Sequence, residues 1–121
     1  MSSSSFILHR WDAIEKEPLT GAIDRQFITC DRVTIATIDL KRGAIVPRHA
    51  HENEQVSSVL KGALRFVFDD GKAVVVRPGQ VMQIPGSVPH EVEALEDSTA
   101  FDIFSPIRQD WIDKTDDYFR K

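Results

Sequence analysis

Residues 43–62 read GAIVPRHAHENEQVSSVLKG, and this stretch places His49, His51 and Gln55 at odd-numbered positions. Alternate side chains of a β-strand point to the same face, so these three side chains would project to one side if the segment is extended. Two imidazoles and an amide oxygen on one face can meet a single ion at about 2 Å. We therefore predict that this segment carries ligands of a metal ion.

A second segment, residues 79–94 with the sequence GQVMQIPGSVPHEVEA, places His90 at the start of a strand after a Pro-Gly turn. A β-barrel brings strands that are distant in sequence together, so His90 can supply a further ligand. The even-numbered positions of Glu52 and Glu54 direct them away from His49 on a regular strand, whereas a bend would change the faces they share. Taken alone, histidines in such segments are more often ordinary polar loop residues than metal ligands.

Short runs of β-branched and aromatic residues recur between turn signals along the chain of 121 residues. This pattern is typical of an all-β sandwich or barrel rather than of alternating strands and helices. We predict a single domain over residues 1–121, with a barrel over about residues 25–106 and a short C-terminal helix over about residues 109–120. The candidate strands are Arg25–Cys30, Val33–Leu40, Val56–Leu60, Leu64–Phe68, Ala73–Val76, Val81–Ile84, His90–Ala94 and Thr99–Phe104.

The composition narrows the classes of partner. The formal net charge is -4 at pH 7 and the Lys and Arg residues form no cluster, which argues against nucleic acid as a ligand. No apolar run is long enough to span a bilayer, and the polar N-terminus precedes only a short apolar stretch, Phe6–Leu8, so we expect neither a membrane partner nor a signal peptide. Cys30 is the only cysteine, which indicates a reducing compartment, and we interpret it as a small core residue. A cytoplasmic protein is therefore expected.

The stretch FDIFSPIRQDW, residues 101–111, contains a carboxylate within an apolar run. Asp102 and Phe104 share one face of the predicted strand, so both point into the barrel or both point to solvent. A carboxylate is costly to bury without partners, which makes an inward Asp102 a candidate site residue. Alternation alone leaves open the alternative in which Phe101 and Ile103 fill the core and Asp102 faces solvent.

These segments resemble the cupin superfamily, whose two motifs are G(X)5HXH(X)3,4E(X)6G and G(X)5PXG(X)2H(X)3N. Residues 43–62 match every spacing of the first motif. The positions that match the second motif are Gly79, Pro85 and His90. Gln55 stands where the glutamate is usual, and Ser87 takes the position of the second motif's internal glycine. The resemblance implies a cupin-type double-stranded β-helix, which is a jelly-roll barrel.

The His-x-His-x-x-x-Gln pattern and the ending FDIFSPIRQDW resemble the small pectin-degradation cupins of the KdgF type. The resemblance implies an enzyme that linearises 4,5-unsaturated uronates to open-chain keto uronates, with a small anionic sugar as its partner. It implies a metal site formed by His49, His51, Gln55 and His90. It also places in the pocket, as catalytic and substrate-binding residues, Asp102, Phe104 and Arg108. Mixed imidazole and amide ligation suits a divalent transition metal, namely Ni, Zn, Fe, Mn or Co.

The neutral amide of Gln55 leaves the charge of the ion unneutralised by the protein, which favours anionic substrates and Lewis-acid chemistry. The planar fork of Arg108 is suited to gripping a uronate carboxylate in two places. Weaker candidates for substrate contacts are Arg48, Arg65 and Gln83. Residues that we assign to packing are Phe66, Met82 and Trp111.

The sequence is also compatible with two other functions and with a homodimer. Cupins with three histidines commonly bind iron, so the first alternative is a metal-dependent dioxygenase, against which the Gln55 ligand counts because it does not stabilise ferric states. The second alternative is a non-catalytic sugar-binding cupin with a structural metal or none. Small cupins tend to pair, which implies a homodimer in which an apolar strand at Phe6–Leu8 crosses to the partner.

Overall fold

The computed structural model describes residues 5–119, and their dominant elements are antiparallel β-strands. In chain order the ten strands are β1 Glu17–Thr20, β2 Ile23–Thr29, β3 Thr34–Leu40, β4 Ile45–His49, β5 Glu54–Lys61, β6 Leu64–Phe68, β7 Ala73–Val76, β8 Val81–Ile84, β9 His90–Ala94 and β10 Ser98–Ser105. One helical turn, α1 Gln109–Ile112, follows the strands, and 3-10 turns occur at Trp11–Ala13 and Asp117–Phe119.

The strands form two sheets with the orders β1-β2-β3-β10-β5-β8 and β4-β9-β6-β7. Strand β10 lies between β3 and β5, and β9 lies between β4 and β6, so neighbours in space are often distant in sequence. Connections of this kind between two antiparallel sheets give a jelly roll. The predicted all-β class and jelly-roll architecture are therefore confirmed.

Alternation along β10 decides which side chains enter the barrel. Asp102 and Phe104 are buried together with the other even-numbered residues of the strand, while Phe101 and Ile103 are only partly buried. The reading in which Asp102 faces solvent is therefore wrong. Asp102 lies opposite two small residues, Ala36 of β3 and Ser57 of β5. Ala100, the next inward residue of β10, belongs to the main apolar core. Asp102 and Phe104 lie beyond Ala100, towards the end of β10 that pairs with Gln55.

Glycines of the first motif sit where the backbone requires them. Gly43 and Gly62 both have φ +86, a left-handed conformation that other residues adopt only with strain. At Gly62 a Cβ atom would also collide with the side chain of Ser98 and the carbonyl oxygen of Asp97. Ser87, which replaces a motif glycine, itself adopts φ 67, and its N–H donates to the carbonyl of His51 at 2.7 Å.

Several local expectations differ from the structure. The chain leaves strand β4 after His49 and bends before β5 begins, so His49, His51 and Gln55 do not lie on one extended strand. Cys30 is exposed rather than a core residue, because β2 ends at Thr29 and Cys30 belongs to the turn before β3. Residues Phe6–Leu8 form no strand in this chain and are strongly exposed.

The predicted short C-terminal helix is present, but it spans fewer residues than the predicted range of about 109–120. It is reduced to α1 and the 3-10 turn Asp117–Phe119, because the chain bends back towards the barrel at Asp113–Asp116. Residue 120, the last of the predicted helix, lies outside the described residues. Within residues 5–119 the structure contains no helix that is long and apolar enough to cross a membrane.

Candidate metal centre

Three histidines converge near Asp102 and Phe104 of β10. His49 is the last residue of β4 and lies directly opposite His90, the first residue of β9, in the antiparallel pairing of these strands. His51 lies in the loop between β4 and β5. One ring nitrogen of each of these imidazoles lies within 4.8 Å of the others, so the three residues could hold one metal ion.

Backbone carbonyls fix the orientation of all three rings. The Nδ1 atom of His49 lies 2.7 Å from the carbonyl oxygen of Pro47, that of His51 3.1 Å from Asn53 and that of His90 2.8 Å from Val88. A carbonyl only accepts hydrogen bonds, so each Nδ1 carries the proton. Each Nε2 therefore keeps its lone pair, which is the form in which histidine binds a metal.

Burial also keeps these imidazoles neutral. It lowers the pKa of His49 to about 3 and that of His51 to about 4, with further lowering from the other imidazoles and the positive charge of Arg108. Burial lowers the pKa of His90 as well. Near neutral pH, protons therefore do not compete with a metal for the three lone pairs.

Two observations test whether these side chains fit a metal ion. The buried Nε2 atom of His90 has no hydrogen-bond partner among the described residues, which is costly for a polar atom unless something else binds it. Nε2 of His51 lies 3.0 Å from Oε1 of Gln55, although neither atom brings a proton when Nδ1 of His51 is protonated. Two ligand atoms at right angles on an ion with bonds of about 2.1 Å lie about 3 Å apart. The residues present therefore fit a metal ion.

A chain of hydrogen bonds orients the amide of Gln55. The hydroxyl of Ser57 donates to Oδ1 of Asp102 at 2.6 Å and accepts from Nε2 of Gln55 at 3.0 Å. The amide nitrogen is thereby directed at Ser57, and the amide oxygen is left to face His51. Ser57 and Asp102 lie opposite each other in the pairing of β5 with β10, so the two sheet neighbours build this connection.

Asp102 is the buried acid of the site, with 5% of its surface exposed. Burial raises the pKa of Asp102 to about 6, although the hydrogen bond from Ser57 and the charge of Arg108 act in the opposite direction. A carboxyl group with such a pKa exchanges protons readily near neutral pH. It is therefore suited to general acid–base chemistry.

Arg108 lies beside this acid but is already engaged. Its Nε and Nη2 atoms donate to the two carboxylate oxygens of Asp110 at 2.9 and 2.7 Å, and its guanidinium carbon lies 4.8 Å from the ring centre of Phe104. The Phe104 ring in turn packs edge-on against His51 at 5.6 Å. The expected two-pronged grip on a ligand carboxylate would therefore have to compete with Asp110 for this edge of the fork.

Tyr118 is the main residue of the site that the sequence analysis did not assign to it. Its ring stacks on His49 with 4.2 Å between ring centres and 5° between ring planes. Its hydroxyl lies 3.4 Å from Nη2 of Arg108, and burial raises its pKa. No local pattern predicts this contact, because Tyr118 reaches the site only when the C-terminal segment folds back over β4.

The remaining sequence candidates lie away from the centre. Glu52 and Glu54 are exposed and do not belong to the histidine cluster, so discounting them is consistent with the structure. Arg48 pairs with Asp69, Arg65 with Glu93 and Gln83 with Glu54.

The candidate residues other than His51 line one cavity with a volume of about 50 Å³, which is room for a few water molecules. Among its lining residues are both metal-site and barrel residues, with the apolar core on one side. The polar and aromatic lining residues are Arg25, His49, Gln55, Ser57, Phe66, His90, Asp102, Phe104, Arg108, Trp111 and Tyr118. The Tyr118 ring covers one face of the His49 imidazole at the wall of this cavity.

A two-sheet jelly roll that gathers three histidines at one end of its barrel has the architecture of a metal-binding cupin. Residues 36–104 match the family Cupin_2, described as a cupin domain, and the chain belongs to this family. No curated protein matches the sequence.

Solved structures extend the comparison. KdgF from Halomonas sp. is 28% identical with a TM-score of 0.77, over 88% of this chain and 99% of that protein. An RmlC-like cupin from Shewanella frigidimarina is also 28% identical, with a TM-score of 0.80 over 88% of this chain and 96% of that one. Oxalate decarboxylase from Bacillus subtilis, a protein with Mn(II) centres, is 19% identical with a TM-score of 0.75 over 88% of this chain and 31% of that chain, which shows a common fold only.

Proposed function

We propose that this protein is a metal-dependent enzyme that linearises 4,5-unsaturated uronate monosaccharides. The observation that carries the proposal is the buried carboxyl group of Asp102, which is connected through Ser57 to a neutral amide beside three neutral imidazoles. Apart from Asp102, the charged side chains that line the cavity are the guanidinium groups of Arg25 and Arg108. Such a pocket favours an anionic substrate. The similarity to KdgF from Halomonas sp. supports the same reaction.

The residues that would hold the metal are His49, His51, Gln55 and His90. When bound, a divalent transition metal would supply a Lewis acid that polarises a substrate hydroxyl or carbonyl oxygen. Four neutral ligands leave the full charge of the ion available to an anionic ligand. Ni, Zn, Fe, Mn and Co all suit mixed imidazole and amide ligation.

The reaction itself needs only a proton to move. In a cyclic 4,5-unsaturated uronate, ring opening breaks the bond between C1 and the ring oxygen, C1 becomes an aldehyde and its hydroxyl loses a proton. The ring oxygen is released as an enolate, which becomes a ketone at C5 when C4 gains a proton, so substrate and product have the same atoms. Asp102 accepts the first proton as a carboxylate and returns it to C4 as an acid, a role for which its pKa of about 6 is suited.

Phe104 and Arg108 would position the sugar in this mechanism. The Phe104 ring, buried between His51 and the Arg108 guanidinium, shapes one wall of the cavity. Arg108 places a buried positive charge near the substrate carboxylate. A uronate monosaccharide is larger than the cavity, so a lining side chain must move when it binds, and our candidate is Tyr118, which stacks on His49.

The decisive test is turnover of a 4,5-unsaturated galacturonate monosaccharide by metal-loaded protein. Loss of the absorbance of the conjugated double bond, at a rate proportional to enzyme concentration and above the spontaneous rearrangement, is the expected result. Oxygen uptake would instead identify a dioxygenase. Saturable binding with neither signal would identify a sugar-binding protein, and either outcome would refute the proposed reaction.

Replacing Gln55 with glutamate should separate metal binding from substrate binding. We expect Gln55→Glu to keep about one metal ion per chain, because a carboxylate is also a good ligand, and to raise KM for the uronate several-fold. The added charge repels the anionic substrate, and the lost amide donor disturbs the hydrogen bond to Ser57. Metal analysis and steady-state kinetics test this expectation. An unchanged KM would show that the charge of this ligand does not govern anion binding.

The homodimer is a further proposal, and the N-terminal arm supports it. Phe6, Ile7 and Leu8 expose 99%, 76% and 93% of their surface, which is unusual for three consecutive large apolar residues. Multi-angle light scattering should find a dimer, and the triple substitution of these residues by serine should shift the mass towards the monomer. The measurement is made at about 10 µM, where a dimer with a Kd in the nanomolar to low-micromolar range forms. A monomeric wild-type protein at this concentration would exclude such a dimer.

We also propose a cytoplasmic location and a small anionic sugar as the physiological partner. The exposed thiol of Cys30 has no second cysteine with which to pair, and a reducing compartment keeps such a thiol free. Recovery of activity in the cytosolic fraction of the native host tests the location.

A further inference from the structure

Two buried hydrogen-bond donors in the wall of the cavity are unsatisfied. Among the described residues, neither Nε1 of Trp111 nor Nε of Arg25 has a partner. The two residues expose only 4% and 2% of their surface, so water at the protein exterior does not satisfy these groups. Orphaned N–H groups at buried positions are rare in native proteins, and a ligand is one established reason for them.

The two donors belong to one positively charged wall. The guanidinium carbon of Arg25 lies 4.1 Å from the indole centre of Trp111, and that of Arg108 lies 4.4 Å from the same indole. All three residues line the cavity. The carboxylates that neutralise the guanidiniums, those of Asp110, Asp116 and Glu17, are not among the lining residues. The cavity lining therefore includes the cationic members of these ion pairs but not their acidic partners.

The wall is also held rigidly in place. Arg25 extends inward from β2 and donates to Asp116 at 2.8 Å and to Glu17 at 2.9 Å. The Trp111 ring packs edge-on against Phe27 at 5.3 Å and Phe104 at 4.9 Å. Side chains fixed in this way bind a ligand without first losing conformational freedom.

We propose that Trp111 and Arg25 form a carboxylate subsite in this cavity, distinct from the metal ligands. The indole N–H of Trp111 and the Nε–H of Arg25 donate to the carboxylate of a sugar acid. Arg108 contributes positive charge, while its Nε–Nη2 edge stays on Asp110. The choice of a sugar acid rests on the proposed function, but the subsite itself is defined by a carboxylate on a small polar ring.

The indole N–H signals of the two tryptophans give a direct test. Metal-loaded, 15N-labelled protein is titrated with D-galacturonate, a saturated sugar acid that lacks the reactive double bond. We expect the Nε1–H signal of Trp111 to move downfield, because a hydrogen bond to a carboxylate deshields the proton. Trp11, which packs against Phe101 outside the cavity, serves as the internal control. D-galactose, which carries a neutral group at the same carbon, should leave both signals in place.

The variant Trp111→Phe assigns the signal and measures the contribution of the donor. Losing a hydrogen bond to a charged group should weaken galacturonate binding about 10- to 100-fold by calorimetry, with unchanged metal content. Phe27→Leu is the matched control, since it perturbs the same aromatic packing without removing a donor and should retain the affinity. Failure of galacturonate to bind, an unmoved Trp111 signal at saturation or equal losses in both variants would each overturn the subsite.

The outcomes separate the subsite from the proposed reaction. Galacturonate binding with the expected shift, but no turnover of the unsaturated uronate, would leave the subsite intact and remove the reaction. Turnover of the unsaturated uronate with an unmoved Trp111 signal would support the reaction and refute the subsite.

Discussion

Substitution of His90 by alanine should strip the protein of its metal. We expect the metal content, measured by mass spectrometry after gel filtration, to fall from about one ion per chain in the wild type to a small fraction of that. His90 exposes only 1% of its surface, and its buried Nε2 has no hydrogen-bond partner among the described residues. Loss of an outer partner of a ligand typically costs about 10- to 100-fold in metal affinity, and loss of a ligand itself should cost more.

The chain offers a matched control in His9, which is exposed and remote from the cluster. His9→Ala removes the same imidazole and should keep the full metal content. His49→Ala should behave like His90→Ala, because both residues close the same β4–β9 pair. Full occupancy in both cluster variants, with folding confirmed by circular dichroism, would show that the metal binds elsewhere.

The strands that the sequence predicted best are those whose ends are marked by turn residues. Leu64–Phe68, Ala73–Val76, Val81–Ile84 and His90–Ala94 were predicted with the bounds found in the structure. The strands β1 and β4 were missing from the prediction because Pro18 and Pro47 interrupt them. Both are edge strands of their sheets, where a residue without an N–H group is tolerated. A local pattern cannot show which strand will lie at an edge.

The candidate metal centre was predictable because its spacing is local. His49, His51 and Gln55 lie within seven consecutive residues, 49–55, and His90 follows a recognisable turn. The geometry that unites them is nevertheless different from the predicted single strand. A bend between β4 and β5 brings His51 to Gln55, and the Ser87 N–H bonded to the His51 carbonyl supports that bend.

The sequence does not predict the positions of Arg25 in the cationic wall or of Tyr118 over His49. Arg25 shares a face of β2 with the buried Ile23, as Asp102 shares a face of β10 with Phe104. Arginines are rarely buried without a partner, however, and the sequence near Arg25 does not identify one. Its partner Asp116 is 91 residues away and lies in the same returning segment as Tyr118. Contacts of this range depend on tertiary folding and leave no trace in local periodicity.

Substitution of Asp102 by asparagine should abolish conversion of the unsaturated uronate while leaving the metal in place. The side chain keeps its size and can still accept the hydrogen bond of Ser57, which donates to Asp102 at 2.6 Å. It can no longer take up or return a proton. A general acid–base group contributes about 10²- to 10⁴-fold, so kcat/KM should fall by that factor towards the spontaneous rate. Metal content and the thermal unfolding midpoint control for loss of structure.

The pH profile adds a second, independent readout of the same residue. Burial raises the pKa of Asp102 to about 6, and only the ionised form can accept the anomeric proton. The wild-type kcat/KM should therefore decline as the pH falls through about 6, or through a lower value if a bound cation favours the carboxylate. Asp102→Asn should have no such limb in its residual rate. Asp24→Asn, which changes a carboxylate of β2 outside the cavity, should keep both the rate and the profile. Near wild-type turnover by Asp102→Asn would remove Asp102 from the mechanism.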